Sequence, residues 1–402
     1  MKKFVSMALA ACMVATLAAC GNPASSSAAA STAASTGSAS SAASASAGAI
    51  KVGTSGPLTG DNAQYGVAVK NGIELAVEEI NAKGGLQFET RAEDDEADGE
   101  KAVNAYNTLK DWGMQIFEGT VTSGACIAAA EEAHTDNMFL LTPSGTAAEC
   151  VQYDNAFRVC FSDPNQGKAS AQYIGSHELA SKVAVIYDSS NTYSSGIYES
   201  FAAEAKNQGF EIVAAEAFTA DSNTDFSVQV QKAKDSGAEL LFLPIYYSEA
   251  TQILTQANTV DFKPAVFGCD GLDGILSVEN FDTSLAEGVL LLTPYVPGSD
   301  ELTNSFTEKY KAKFGIDPNQ FAADAYDGMY AIAAACEKAG ITADMSASDI
   351  CDKLTATFTD SGFSVDGVTG SNITWDASGE PNKEPKAVMI ENGAYVVPED
   401  AA

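Results

Sequence analysis

The chain has 402 residues, more than one compact domain usually holds, and 46% of them are apolar, enough for a large core. Asp and Glu number 54 against 22 Lys and Arg, leaving a formal charge of −32. Such a chain repels nucleic acid and anionic lipid, and neither is expected as a partner held by charge.

The first twenty residues read as a secretory leader. Lys2 and Lys3 form its basic start, and residues 4–18 its apolar stretch. That stretch is too short and too rich in Ala for a good membrane span. It ends Leu17-Ala18-Ala19-Cys20, which resembles the bacterial lipobox, in which the Cys is lipidated and becomes the first residue of the mature protein. The alternative is a plain signal with a chance Cys. Residues 22–48 are nearly all Ser, Ala, Thr and Gly and can bury no core. A flexible tether is expected over 21–49, with a reach of about 30 Å. Anchor and tether together imply a domain held at the outer face of a membrane.

Cys12 and Cys20 belong to the leader. The others are Cys126, Cys150, Cys160, Cys269, Cys336 and Cys351. An exported protein can keep disulfides, and Cys150/Cys160 and Cys336/Cys351 are the local pairings, although connectivity does not follow from sequence. None sits in a CxxC or near a His, so zinc and thiol redox chemistry are not indicated.

From residue 50 strand-like and helix-like runs alternate. Residues 50–54, 86–92, 115–119 and 138–141 read as strands, and 62–82, 99–111 and 125–134 as helices. Within 62–82, Val69, Ile73, Ala76, Val77 and Ile80 recur at spacings of three and four. Further on, 183–187, 211–218, 240–244 and 265–268 read as strands, with helices over 193–208, 226–236 and 248–259. After Pro294 the pattern becomes helices at 300–314, 322–339 and 348–357. Strands follow at 368–375 and 387–390, the latter turning through Glu391-Asn392-Gly393-Ala394 into 395–397. Repeated strand–helix units predict an α/β fold with parallel sheets, and there are enough strands for two Rossmann-like lobes. Ligands of such sheets bind beyond the carboxyl ends of the strands.

Enzyme signatures are missing: there is no G-x-S-x-G, Walker sequence or G-x-G-x-x-G after a strand. His134 and His177 each stand alone in helix-like segments, suited to a surface or helix end. Residues 93–99 carry the acids and Gly of half a calcium loop, but Ala105 stands where the closing Glu is needed. Solvation of a strand-to-helix turn is the simpler role for them. No metal or cofactor is expected.

The chemistry collects after strands. Residues 120–124 and 142–146 are turns rich in Ser, Thr and Gly, without a Lys, Arg, His or acid, and each is expected to lead into a helix. Hydroxyls and unpaired N–H groups at a helix start suit a carboxylate. Tyr65 lies near a helix start after the first strand. Tyr193, Tyr246 and Asp270 each follow a strand in the second half. Alone, such tyrosines are packing and such an Asp caps a turn. Together they suit an α-amino acid: hydroxyl turns for the carboxylate, Asp for the ammonium, aromatics for the side chain.

These features resemble the type I periplasmic binding proteins of ABC importers, specifically the branched-chain amino-acid (Leu/Ile/Val) family. The resemblance rests on Ser55-Gly56-Pro57, Gln64-Tyr65-Gly66, Ile80-Asn81-Ala82-Lys83-Gly84-Gly85, Leu141-Thr142-Pro143 with Thr146-Ala147, Asp163 with Gln166-Gly167, and Ala325-Tyr326. It spans about residues 50–397. It implies two lobes, 50–163 with 295–370 and 164–294 with 371–400, joined by three crossovers near 163–165, 293–295 and 370–372. It implies a ligand held by Ser123, Ser144 and Thr146 in one lobe and by Tyr193, Tyr246 and Asp270 in the other, with Tyr65 at the first-lobe wall. The family's ammonium acceptor is Glu in its best-known members, and Asp270 is shorter. Its disulfide beside the first Ser is not matched, Ala97 and Thr122 standing at those positions. The implied partners are an amino acid and permease subunits, with the lipid anchor at the membrane and the protein a monomer. A ligand-sensing subunit for a membrane receptor, an amide, peptide or aromatic-acid ligand, and an enzyme on the same scaffold are the competing readings.

Overall fold

A computed structural model describes residues 48–398. The leader, Cys20 and the tether up to residue 47 lie outside the described residues. Among the described residues no helix is long and apolar enough to cross a membrane.

The first lobe opens with β1 (Ile50–Gly56) and α1 (Ala63–Ala82). The spaced residues Val69, Ile73, Ala76, Val77 and Ile80 are all buried on one face of α1. Next come β2 (Phe88–Asp94) and α2 (Gly99–Trp112). The Asp98 side chain caps α2 by accepting from Lys101 N, and Gly113 ends it at φ 93°, a conformation that favours glycine. The acids between them are not solvent-facing as a group. Asp95 is buried and takes the Ser55 hydroxyl at 3.1 Å, and Asp94 takes Leu58 N and the Thr59 hydroxyl. They pin the loop after β1. The lobe continues with β3 (Ile116–Phe117), α3 (Ser123–Thr135), β4 (Leu140–Thr142) and β5 (Ala156–Arg158). Its sheet runs β2-β1-β3-β4-β5, all parallel.

The second lobe follows with α4 (Asp163–Ser176), β6 (Lys182–Asp188), α5 (Thr192–Ala205), β7 (Glu211–Phe218) and α6 (Ser227–Asp235). Then come β8 (Leu240–Leu243), α7 (Tyr247–Thr259), β9 (Ala265–Gly268) and β10 (Leu290–Thr293). Next, α8 (Glu301–Phe314), α9 (Gln320–Ala339) and α10 (Ala347–Phe358) return to the first lobe. There α9 packs on α1 at Gly72, where a Cβ would run into the Ala322 backbone. The hairpin β11 (Lys386–Glu391) and β12 (Ala394–Val396) completes the second sheet, ordered β12-β11-β10-β9-β8-β6-β7. Only the β10–β11 and β11–β12 pairings are antiparallel. The sequence reading lacked β5 and β10, both short and closely followed by irregular chain.

The chain passes between the lobes three times. Two of the passages fall between β5 and α4 and between β10 and α8. The third does not lie at 370–372. Gly379 O accepts from Arg158 N at 3.0 Å, and the Trp375 indole donates to Arg158 O at 2.7 Å. Lys383 is buried against Asp324 and Thr369 of the first lobe. The passage therefore comes after Lys383. The Trp375 ring lies against Phe358 and Phe363, and its burial holds the segment back. The expected strand over 368–375 is replaced by two isolated bridges, Val365↔Ile373 and Trp375↔Pro381.

The expected disulfide pairings are also not made: all six described cysteines are buried free thiols. The Cys160 thiol points to Gly145 O, whereas Cys150 points to Ser123 O and packs with Cys126. Cys336 and Cys351 sit on separate helices in the main core. Closeness in sequence sets loop length, not the direction of a thiol.

Candidate functional site

Every expected site residue lies at or just beyond the carboxyl end of a parallel strand, or, for Tyr65, at the helix that follows one. Ser123 begins α3 after β3, and Ser144 and Thr146 follow β4. Tyr193, Tyr246 and Asp270 follow β6, β8 and β9. Tyr65 lies in the first turn of α1, after β1. All seven are buried or packed against the core.

In the first lobe two turns are laced together. The Ser123 hydroxyl accepts from Ala147 N at 3.1 Å and lies 3.4 Å from the Thr146 hydroxyl. The Thr142 hydroxyl donates to Thr120 O at 2.8 Å and accepts from Gly145 N at 2.7 Å. Thr122 opens α3 without a side-chain cap, so the first N–H groups of that helix have no intrahelical acceptor. The second turn leads into a short 3-10 helix, Ala148–Val151.

Neutral donors are not the whole of this half. Arg158, on β5, is fully buried beneath the second turn and donates to Gly145 O and Ala147 O, both at 2.9 Å. In a trans peptide the next N–H points the opposite way, so this grip aims Thr146 N–H and Ala148 N–H away from the guanidinium. Arg158 also reaches Glu380 at 3.3 Å. A buried cation behind the turn raises its potential for an anion.

The second lobe supplies carboxylates and rings. The Tyr193 hydroxyl donates to Asp270 Oδ1 at 2.7 Å, and Gln166 Oε1 accepts from Asp270 N at 3.0 Å. Burial pushes the Asp270 carboxyl up to about 6, against the pull of the Tyr193 hydroxyl. Asp163 is the residue the sequence reading placed at a hinge and not at the ligand. It is buried, and neither carboxylate oxygen has a hydrogen bond to the protein. Burial raises its pKa well above the ordinary carboxyl value; Thr146 beside it opposes the rise, and the Asp270 charge adds to it. Gln166 Nε2 is buried without a partner as well. Unpaired buried polar atoms are costly, and the charge of Asp270 adds to the cost of ionising Asp163.

Tyrosines close the site. Tyr193 stacks on Tyr246 with centroids 5.0 Å apart. Tyr65 meets Tyr246 edge-on at 5.4 Å, and Tyr247 and Phe321 each at 4.7 Å. Tyr65 does more than wall the first lobe. Its hydroxyl donates to Gly271 O at 2.5 Å and accepts from Tyr247 N at 3.2 Å, joining the lobes directly.

Two contributors escaped the sequence reading for different reasons. Arg158 carried a signal, a lone Arg inside the apolar run Ala156–Phe161, but the strand itself went unread. Phe321 carried none, because α9 is apolar nearly all round. Neither histidine joins the site: His134 stacks on Tyr153 and His177 on Tyr173. Among the described residues no group of His, Cys, Asp and Glu could hold a metal ion.

Comparison with known proteins gives a consistent picture. The family profile described as periplasmic binding protein matches residues 49–394. The Leu/Ile/Val-binding protein homolog 3 of Brucella melitensis is 30% identical over 74% of this chain and 81% of its own. The branched-chain amino acid transporter substrate binding protein LivJ of Streptococcus pneumoniae, solved in complex with isoleucine, superposes with a TM-score of 0.78 at 30% identity. That match covers 87% of this chain and 98% of the other. A solute binding protein of an ABC transporter from R. palustris, solved with benzoate, has a TM-score of 0.77 over 87% and 95% of the two chains. At 20% identity it speaks to the fold alone.

Proposed function

We propose that this chain, a member of the periplasmic binding protein family, is the extracytoplasmic substrate-binding protein of an ABC importer and captures an aliphatic amino acid. One observation carries the reading. Hydroxyls and N–H groups backed by Arg158 adjoin Asp163, whose N–H is held by Thr146 O and whose carboxyl feels the charge of Asp270, beside stacked tyrosines. A zwitterion satisfies both ends at once: its carboxylate meets the hydroxyl turns and its ammonium the acids. The side chain is left to the rings, and branched-chain amino acids, as named for the relatives, fit an apolar wall.

The same acids argue against a plain carboxylic acid such as an aromatic acid. An anion without an ammonium would leave both acids without a cation and add its own negative charge beside them. We assign no catalytic role, since the site joins no nucleophile to a base. Lobe closure on the ligand is the output, read by permease subunits. We further propose that Cys20 carries a lipid anchor, that residues 21–49 tether the lobes to it, and that the protein acts as a monomer.

Calorimetry with a panel of amino acids and aromatic acids tests this. Binding of Leu, Ile or Val with no binding of benzoate is the expected outcome. Binding of benzoate in preference to every amino acid would overturn it.

A further inference from the structure

Cys126 and Cys150 lie beneath the two hydroxyl turns, in contact with their backbone. Cys126 is on the second turn of α3 and Cys150 on the 3-10 turn Ala148–Val151, and both are completely buried. With Ala147 they form a small apolar cluster of their own, separate from the main cores. The Cys150 thiol donates to Ser123 O at 3.7 Å, which sets it over the helix turn that carries Cys126. Gly145 makes room on the other side, since a Cβ there would lie 2.9 Å from the Cys126 sulfur. Among the described cysteines this is the pair in which each thiol neighbours the other.

We propose that Cys126 and Cys150 form a disulfide, made by exchange with a small-molecule or protein disulfide outside the cytoplasm, that ties α3 to the second hydroxyl turn. The step balances as two thiols plus one oxidant disulfide giving one protein disulfide plus two oxidant thiols. The Cys126 thiolate attacks one sulfur of the oxidant and releases the first thiol. The Cys150 thiolate then attacks the Cys126 sulfur of the mixed disulfide and releases the second. Cys126 is the better first attacker: the Cys150 thiol, the Thr142 hydroxyl and the Arg158 charge all favour its thiolate. Ala148 and Glu149, beside Cys150, are exposed, so local opening of that short turn admits the oxidant. The closed loop holds Ser144 and Thr146 and begins one helical turn after Ser123.

The test is to incubate the folded, full-length protein with oxidised glutathione, then alkylate in denaturant and map peptides without reduction. A Cys126–Cys150 cross-linked peptide and four alkylated thiols among the described six are expected, with a rise in Tm on the order of 5 °C that reductant reverses. Six alkylated thiols, or a cross-link between any other pair, would overturn the proposal. The double variant Cys126→Ser, Cys150→Ser must lose the oxidant-dependent Tm rise, and Cys336→Ser must keep it. A rise that persists in the double variant also refutes it. Amino-acid binding measured on the same samples reports separately on the proposed function.

Discussion

The Tyr193 hydroxyl lies between Asp270 Oδ1, to which it donates at 2.7 Å, and Gly271 N, from which it accepts at 2.9 Å. It therefore fixes the carboxylate proposed to receive the ligand's ammonium. Tyr193→Phe keeps the ring stack on Tyr246 but removes this hold. Loss of one hydrogen bond to a charged group costs about 1.5 kcal/mol, so amino-acid affinity should fall roughly tenfold. Calorimetry on a variant of unchanged Tm checks it, and wild-type affinity would place the ammonium elsewhere.

Asp163→Asn and Asp270→Asn each remove one of the two acids while keeping shape. Each should weaken zwitterion binding by about 2–3 kcal/mol, roughly 30- to 150-fold. A ligand that keeps the carboxylate but lacks the ammonium, rejected by the wild type, should gain affinity from either change. Equal loss for both ligand types would point to a folding defect in place of a charge contact.

Affinity should depend on pH with a definite sign. Burial holds Asp270 up at about 6 and raises Asp163 above the ordinary carboxyl value as well. In the empty closed form, a raised carboxyl stabilises at low pH, and that contribution is lost as pH rises through its folded pKa. An ammonium beside the same groups favours their charged forms, so binding takes the opposite slope. Affinity should fall as pH drops through about 6, by up to about tenfold per pH unit for each proton taken up on release. Titration calorimetry from pH 4.5 to 8 in buffers of differing ionisation heat reads that uptake directly. A flat profile would contradict an acid-held ammonium.

Tyr65 joins the lobes without needing a ligand, through Gly271 O and Tyr247 N. Tyr65→Phe should leave folding intact and shift the ligand-free protein toward open lobes. Solution scattering should show a larger radius of gyration than wild type without ligand and the same radius when saturated. An affinity loss of about 1–2 kcal/mol should accompany it. Identical scattering in both states would remove Tyr65 from the closure equilibrium.

Gly72 lets α1 and α9 touch through their backbones. Gly72→Ala forces the helices apart, and overpacking of this kind costs about 1–3 kcal/mol despite the better helix propensity of Ala. Urea unfolding should show the lower midpoint, with ligand affinity in the folded protein little changed.

How far the sequence could be read follows from the range of the interactions involved. Spacing along residues 62–82 placed α1 because helix burial repeats within a few residues. The hydroxyl turns were legible because residue type alone makes them donors. Arg158 was not, since its role comes from the carbonyls of a turn 11 to 13 positions earlier in the chain. Asp163 was visible as a motif but not as the ligand group proposed here. Only the folded chain puts it beside Thr146 and leaves both its oxygens unpaired. The third passage was misplaced because Trp375 answers to Phe358, Phe363 and the backbone of Arg158, none of them near it in sequence.

Asp163 is also the first residue of α4, and its N–H is held by Thr146 O at 2.8 Å, at the place where the chain leaves one lobe for the other. A charge that settles on its side chain therefore acts at the pivot, not at the rim. Like a force on a door close to its hinge, it moves little where it is applied and much at the far edge. The proposed ligand's cation would set an angle there, and the distant margins of the lobes would report it as a distance.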